Sequence, residues 1–436
     1  MTYGESWIHP NHPEPFDDAD GLVTWDGACV DDGPNSYAVL SNGWKPYFSG
    51  HSACVIALDA RSCPGAPTSC GTRVSYGAAW LAPAGHPARY DDVGGRLVSD
   101  RVCRSDGAEG YVALSNGWQP HFANKQCAVS LRYTQCGGLY QNPVVPTDCP
   151  DPGVWKQGDT YTMACTGGDG GGLYVLRTSK DLVHWKTAGH VFPSGSGPKW
   201  ANGSFWAPEI HEVGGQFVAY FSARSTDGVL SIGAATGPTP LGPFKDLGKP
   251  LVHDASMGMI DVSEFEDAAG KPYLVWKADG NAQQKPTPIY GQALGPDGTS
   301  LTGARVTLLT NDLGWEGPLI EAPWVISRGG YYYLFYSANA YYNGTYAVGV
   351  ARATSPLGPY TKHGAPILTT NLGWVGPGHC SVVVGPSGQD MMVYHAWRAG
   401  AVGGNNGRVV LVDGLEWSGG WPSVPAAPSS GSRPMP

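Results

Sequence analysis

Ile260-Asp261-Val-Ser-Glu-Phe-Glu-Asp267, followed by Gly270-Lys-Pro-Tyr-Leu-Val275, holds the pattern that decides the fold. A short apolar run leads into a Gly-containing turn and an aromatic-rich apolar run leaves it, which is the signature of a β-hairpin. The same grammar recurs in Asp151-Pro-Gly-Val-Trp155…Gly158-Asp-Thr-Tyr-Thr-Met163 and in Ala207-Pro-Glu-Ile210…Gly214-Gly-Gln-Phe-Val-Ala-Tyr220. It returns in Glu321-Ala-Pro-Trp-Val325…Gly329-Gly-Tyr-Tyr-Tyr-Leu334 and in His379-Cys-Ser-Val-Val383…Gly388-Gln-Asp-Met-Met-Val-Tyr394. The starts lie about 55 to 60 residues apart, a period that belongs to propeller blades or arrays. Five small sheets arranged radially bury their faces against one another and leave few open edges. The expected fold class is all-β, with a five-bladed β-propeller over residues 141–422.

In such an architecture the first strand of each blade lies nearest the axis, so its opening residues line one end of the channel. Asp151, Asp261, Glu321 and His379 stand at those openings. Carboxylates that converge on a cleft repel one another, and such an arrangement is costly unless the repulsion is used. This argues for chemistry at the axis.

Composition narrows the classes further. Gly (63) and Pro (37) are abundant, charged residues make up only 14%, and 16 Trp with 22 Tyr supply aromatic surface that must be buried or used. A formal net charge of −9, with no Lys/Arg run, offers nothing to nucleic acid. No apolar stretch approaches a membrane span. The start, Met1-Thr-Tyr-Gly-Glu-Ser-Trp7, lacks the pattern of a signal peptide. Ten cysteines without a CxxC pair nevertheless point to disulfides and a secreted, extracellular protein.

Seven of those cysteines fall in the first third, within a tandem duplication assigned to a Cys-rich, β-rich domain over residues 1–140. Cys29, Tyr37-Ala-Val-Leu-Ser-Asn-Gly-Trp44, Phe48, Cys54 and Cys63 are matched by Cys103, Tyr111-Val-Ala-Leu-Ser-Asn-Gly-Trp118, Phe122, Cys127 and Cys136. Trp44 and Trp118 either pack in the core of each copy or stack on sugar rings, as in a carbohydrate-binding module. The Pro/Ser-rich end, residues 423–436, is expected to be a flexible tail.

Residues 147–422 resemble glycoside hydrolase family 43, the arabinanase, α-L-arabinofuranosidase and β-xylosidase family. The resemblance rests on Cys149-Pro-Asp151-Pro, Ser179-Lys-Asp-Leu-Val-His-Trp185, Phe205-Trp206-Ala-Pro-Glu-Ile210, Ile260-Asp261-Val-Ser-Glu-Phe-Glu-Asp267, Ile320-Glu321-Ala-Pro323 and Gly376-Pro-Gly-His379-Cys-Ser381, taken in this order. It implies a five-bladed propeller and an inverting hydrolase. Asp151 is then the general base, Glu321 the general acid, and Asp261 the neighbour that raises the acid's pKa. In an inverting enzyme a water sits between base and sugar, so the two carboxyls stand about 6.5–9.5 Å apart. Glu316, in Trp315-Glu-Gly-Pro, competes for the acid, and spacing to the Tyr331 run favours Glu321. Val262 stands where the family usually has Pro.

Phe205, Trp206 and Trp324 are the aromatic candidates for substrate binding. His379 resembles a histidine that faces an axial cation or its waters, with calcium the natural ion; no cofactor is required. His395 reads as strand packing, and Cys149 can bridge to Cys380 or to Cys165. The expected function is hydrolysis of arabinose- or xylose-containing poly- or oligosaccharides, foremost as an α-L-arabinofuranosidase, with β-xylosidase and endo-arabinanase as alternatives. A monomer is expected. A non-catalytic carbohydrate-binding propeller is the competing class, and the intact acidic trio argues against it.

Overall fold

The computed structural model describes residues 139–425, 427–431 and 433–436. Of the first 138 it describes 2–3, 7–8, 25, 28–41, 43–49, 54–60, 71–76, 79–81, 89–92, 99, 102–114, 118–125 and 127–134. Two compact units divide the chain, Met1–Gly138 and Leu139–Pro436. Both are built of β-strands, and among the described residues helix is confined to 3-10 turns at Ala123–Lys125, Asn281–Gln283 and Gly314–Glu316.

Besides two two-stranded pairings, the described residues of the second unit form five antiparallel sheets of three to five strands in chain order. Their first and second strands are Gly153–Gln157 with Thr160–Ala164, Ala201–Val213 with Gln216–Ser225, and Gly258–Glu266 with Pro272–Asp279. Ile320–Arg328 with Tyr331–Ala338 and Trp374–Val384 with Asp390–Arg398 open the fourth and fifth. The turns Gly214-Gly215 and Gly329-Gly330 each place two successive residues at positive φ, between 57° and 82°. That is a mirror-image hairpin turn, which glycine adopts without a Cβ penalty.

Apolar cores fill the space between consecutive sheets. Tyr174 and Phe221 pack between the first and second sheets, Tyr220 and Trp276 between the second and third, and Phe265 and Tyr336 between the third and fourth. Trp324 and Tyr394 pack between the fourth and fifth, and Met163 and Val393 between the fifth and first. Val145, which precedes the first sheet in the chain, bridges Val410 on the third strand of the fifth sheet, Val409–Gly414.

The C-terminal segment departs from its expectation. Arg433–Pro434 pairs with Leu139–Tyr140, and Ser429 is buried. The Ser429 N–H donates to Asp413 Oδ2 at 3.2 Å, and its Oγ accepts from Asn142 Nδ2 at 2.9 Å. A Pro/Ser-rich composition suggests a tail because it lacks apolar surface. Here polar partners from three parts of the unit bind it instead.

Among its described residues the first unit holds one five-stranded sheet and two three-stranded ones. Val30–Asp32, Asn35–Tyr37 and Tyr47–Ser49 form one three-stranded sheet, and Arg104–Asp106, Glu109–Tyr111 and His121–Phe122 form another. Disulfides Cys29–Cys54 and Cys103–Cys127 occupy matching places. Tyr3 on Trp7 and Tyr76 on Trp80 make ring pairs, each 4.2 Å between centroids. Trp44 and Trp118 are half-buried against the apolar cluster of their own copy. Cys63, Cys70 and Cys136 lie outside the described residues.

Candidate active site

Each of the five first strands contains, or in the first sheet begins two residues after, a non-glycine residue at positive φ: Asp151 (54°), Ala207 (44°), Asp261 (56°), Ala322 (52°) and His379 (49°). In sheets two to five the strand carries one residue more than its partner there, a β-bulge that re-aims side chains. Strained backbone of this kind costs of order 1–3 kcal/mol per residue and gathers at functional sites. The bulge also corrects the expected alignment. Ala322, not Glu321, is the counterpart of Asp151, Asp261 and His379, while Glu321 matches Trp206, one residue earlier.

Asp151 is buried and fully engaged. Its Oδ2 accepts from Thr166 Oγ1 at 2.6 Å and its Oδ1 from Arg408 Nη1 at 3.0 Å, with His379 Nδ1 3.3 Å away. Burial would raise this carboxyl, but Arg408, then His379 and His395, hold it well below the usual carboxylate range. His395 is not mere strand packing. Its Nδ1 accepts the Asp151 backbone N–H at 3.1 Å, and burial together with Arg408 pushes the imidazole down to about 4, so it is neutral.

Glu321 stands on the other side of the cluster. Its Oε2 accepts from the fully buried Lys277 at 2.9 Å and its Oε1 from the Tyr346 hydroxyl at 2.7 Å. The Tyr346 ring lies parallel to that of His395 at 5.9 Å, linking the surroundings of the two carboxylates. Burial pushes Glu321 up, but Lys277 and Tyr346 more than offset this and hold it low. Asp261 takes the opposite course. Burial and the negative charge of Glu321 raise it to about 7, against the pull of His379 and Lys277. Lys277, in contact with Glu321, thus opposes any upward push from Asp261.

Other candidates sort by geometry. Glu316 is fully buried and spent: Oε1 accepts from Tyr336 at 2.7 Å and Lys362 at 2.6 Å, and Oε2 takes two backbone N–H groups. Trp206 and Phe205 are half-buried at the start of sheet two. Trp324 is not available to a sugar. It is 6% exposed, its indole N–H donates to Val382 O, and it packs in the core between sheets four and five. Cys149 pairs with Cys165, leaving Cys380 a free buried thiol. Among the described residues no three His, Cys, Asp or Glu side chains converge to hold a metal ion, so His379 has no ligand set around it. Thr166, Arg408, Tyr346 and Lys277 were missed from sequence. Only Arg408, a lone cation directly after the glycine-rich segment Gly403-Gly-Asn-Asn-Gly407, carries any signal there.

The model of glycosyl hydrolases family 43 matches residues 140–422. The chain belongs to that family. Family 43 enzymes hydrolyse glycosidic bonds with inversion, using an Asp base and a Glu acid, and need no cofactor for catalysis. The chain is 28% identical over 312 residues to the extracellular exo-α-(1→5)-L-arabinofuranosidase ArbA of Cellvibrio japonicus, covering 64% of this chain and 86% of that one. It is 29% identical over 298 residues to the extracellular endo-α-(1→5)-L-arabinanase 1 of Bacillus subtilis, covering 63% and 86%. The crystal structure of a thermostable family-43 glycoside hydrolase superposes with a TM-score of 0.63 at 34% identity, covering 68% of this chain and 99% of the other. No helix among the described residues is long and apolar enough to cross a membrane.

Proposed function

We propose that this family 43 hydrolase removes α-L-arabinofuranosyl units from arabinose-containing poly- or oligosaccharides, with Asp151 as base, Glu321 as acid and Asp261 as the acid's proton partner. The observation that carries the roles is the unequal distribution of cations. Asp151 has Arg408 and Glu321 has Lys277, while Asp261 contacts neither and holds the proton. An ionised Asp151 can take a proton from water as that water attacks the anomeric carbon. The Asp261–Glu321 pair, carrying one proton near neutral pH, supplies it to the leaving oxygen through Glu321. Inversion follows because water, not a carboxylate, attacks the sugar.

The sugar is read from the relatives' names, which include both exo- and endo-acting arabinan enzymes. The half-buried Trp206, matching Glu321 in bulge position, is the wall against which a furanose ring would pack. A five-bladed propeller fits the five inter-sheet cores and the Val145–Val410 bridge. The first 138 residues would then form a separate duplicated module, and secretion is supported by three disulfides and by relatives named extracellular. Calcium enters this reading only as a structural ion held through its own waters at His379.

Turnover of a panel of aryl arabinofuranosides and xylosides tests the proposal. The arabinofuranoside should be hydrolysed fastest, and Asp151→Asn or Glu321→Ala should lower turnover by about 10²–10⁴-fold. Turnover unchanged in both variants refutes the assigned roles.

A further inference from the structure

Four of the five left-handed residues meet the same need in the same way. The left-handed residue's N–H leaves the ladder, and a side chain from the preceding sheet accepts it. Thr166 serves Ala207 at 2.6 Å, Ser222 serves Asp261 at 3.0 Å, Ser337 serves His379 at 2.8 Å, and His395 serves Asp151 at 3.1 Å. The acceptors hold one repeated place: Ser222 lies opposite Trp206, Ser337 opposite Glu321 and His395 opposite Gly378.

In the third sheet that place, opposite Ile260, is Lys277. An ammonium has no lone pair to offer. The N–H of Ala322 goes to Oδ2 of Asp261 instead, at 3.1 Å. Lys277, 0% exposed, points Nζ at Glu321 Oε2 (2.9 Å) and Asp279 Oδ1 (3.1 Å). A buried ammonium is strongly disfavoured unless paired, and a serine would satisfy the backbone here without that penalty.

We propose that Lys277 is a positioning residue for the acid, substituted into the repeat to orient the Glu321 carboxyl and to stabilise the carboxylate formed when its proton leaves. The proposal rests on Glu321 as the acid. In the step concerned, the one proton of the Asp261–Glu321 pair passes through Glu321 to the glycosidic oxygen, and the anomeric C–O bond breaks with its electrons on that oxygen. Water bonds to the anomeric carbon and gives its proton to Asp151. Glu321 ends as an anion 2.9 Å from Lys277 Nζ. The other charged or titratable groups acting on Lys277 and Glu321 are Asp261, Asp279, His379 and the Tyr346 hydroxyl.

The test compares wild type, Lys277→Ser, Lys277→Arg and Glu321→Gln on an activated aryl glycoside and on an unactivated oligosaccharide of the same sugar, across pH. Without the cation the acid holds its proton more tightly. Lys277→Ser should therefore move the alkaline limb of kcat/KM up by about one pH unit. It should also slow the oligosaccharide about tenfold more than the aryl glycoside, because only the poor leaving group needs full protonation. Lys277→Arg should restore both features. If Lys277→Ser does not fold, Lys277→Gln carries the same test. An unmoved limb with equal losses on both substrates overturns the proposal. If Glu321→Gln also affects both substrates equally, the assignment of the acid itself fails. If Glu321→Gln shows the leaving-group dependence and Lys277→Ser does not, only the role of Lys277 fails.

Discussion

Nη1 of Arg408 lies 3.0 Å from Oδ1 of Asp151, joining the segment just before the first sheet to the loop before the last strand of the fifth. The guanidinium keeps Asp151 ionised although it is buried, as a base that activates water requires. Arg408→Met should raise the Asp151 pKa and move the acid limb of kcat/KM up with it. The direction follows from the depressed value, since a base held low stays active to low pH and loses that range when its cation goes. A pH–rate profile of the variant checks it.

Asp261, raised to about 7, sets the opposite limb. The pair loses its proton as pH rises through that value, so wild-type kcat/KM should fall above about pH 7. In Asp261→Asn the proton site is gone and Glu321 remains held low by Lys277. The alkaline limb should then move down, with kcat reduced about 10²-fold or more. A limb that stays in place would assign the pH dependence elsewhere.

His211 makes a stability prediction away from the reacting groups. Its ring nitrogens lie 2.9 Å from Glu209 and 3.3 Å from Glu264, and all three side chains are buried. Burial would lower the imidazole, but the two carboxylates raise it to about 9. A raised histidine contributes stability fully present below its unfolded value, about 6.5, and lost as pH rises through about 9. The loss is on the order of 3 kcal/mol. Denaturant melts of wild type should show this slope above pH 7, where Asp261 has already lost its proton. His211→Asn should be less stable at pH 6 and nearly flat over the window.

Deleting residues 423–436 should destabilise the second unit. It removes the Ser429 bonds to Asp413 and Asn142, the bond from Asn371 Nδ2 to Pro428 O at 2.6 Å, and the strand pairing with Leu139–Tyr140. Hydrogen bonds worth about 0.5–1.5 kcal/mol each, together with buried partners left unsatisfied, predict a Tm lower by several degrees. A Tm equal to that of the full chain would mean the segment contributes nothing.

Asp151 and Asp261 were found because each opens a repeated unit, and a period of whole sheets survives in sequence. Glu321 was found by its spacing to the tyrosine run of its own hairpin, yet its alignment with the other acids was one residue out. A bulge adds a residue without a composition signal. Trp324 was misread for the same reason: beyond the bulge the alternation changes phase, and the indole turns into the core between two sheets. His395 and Thr166 gave no sign of their roles, because each acts on a residue of another strand.

The sequence by itself determined the all-β class, the five-fold period and two of the acids at its openings, since hydrophobic alternation and turn glycines are local properties of the chain. Only the tertiary structure decided the charge state of each acid. Arg408 and Lys277 lie far from their carboxylates along the chain, and Coulomb forces in a buried site depend on distance in space. Asp261 keeps the proton because it is buried and Lys277, though it pulls on it, makes its ion pairs with Glu321 and Asp279 instead.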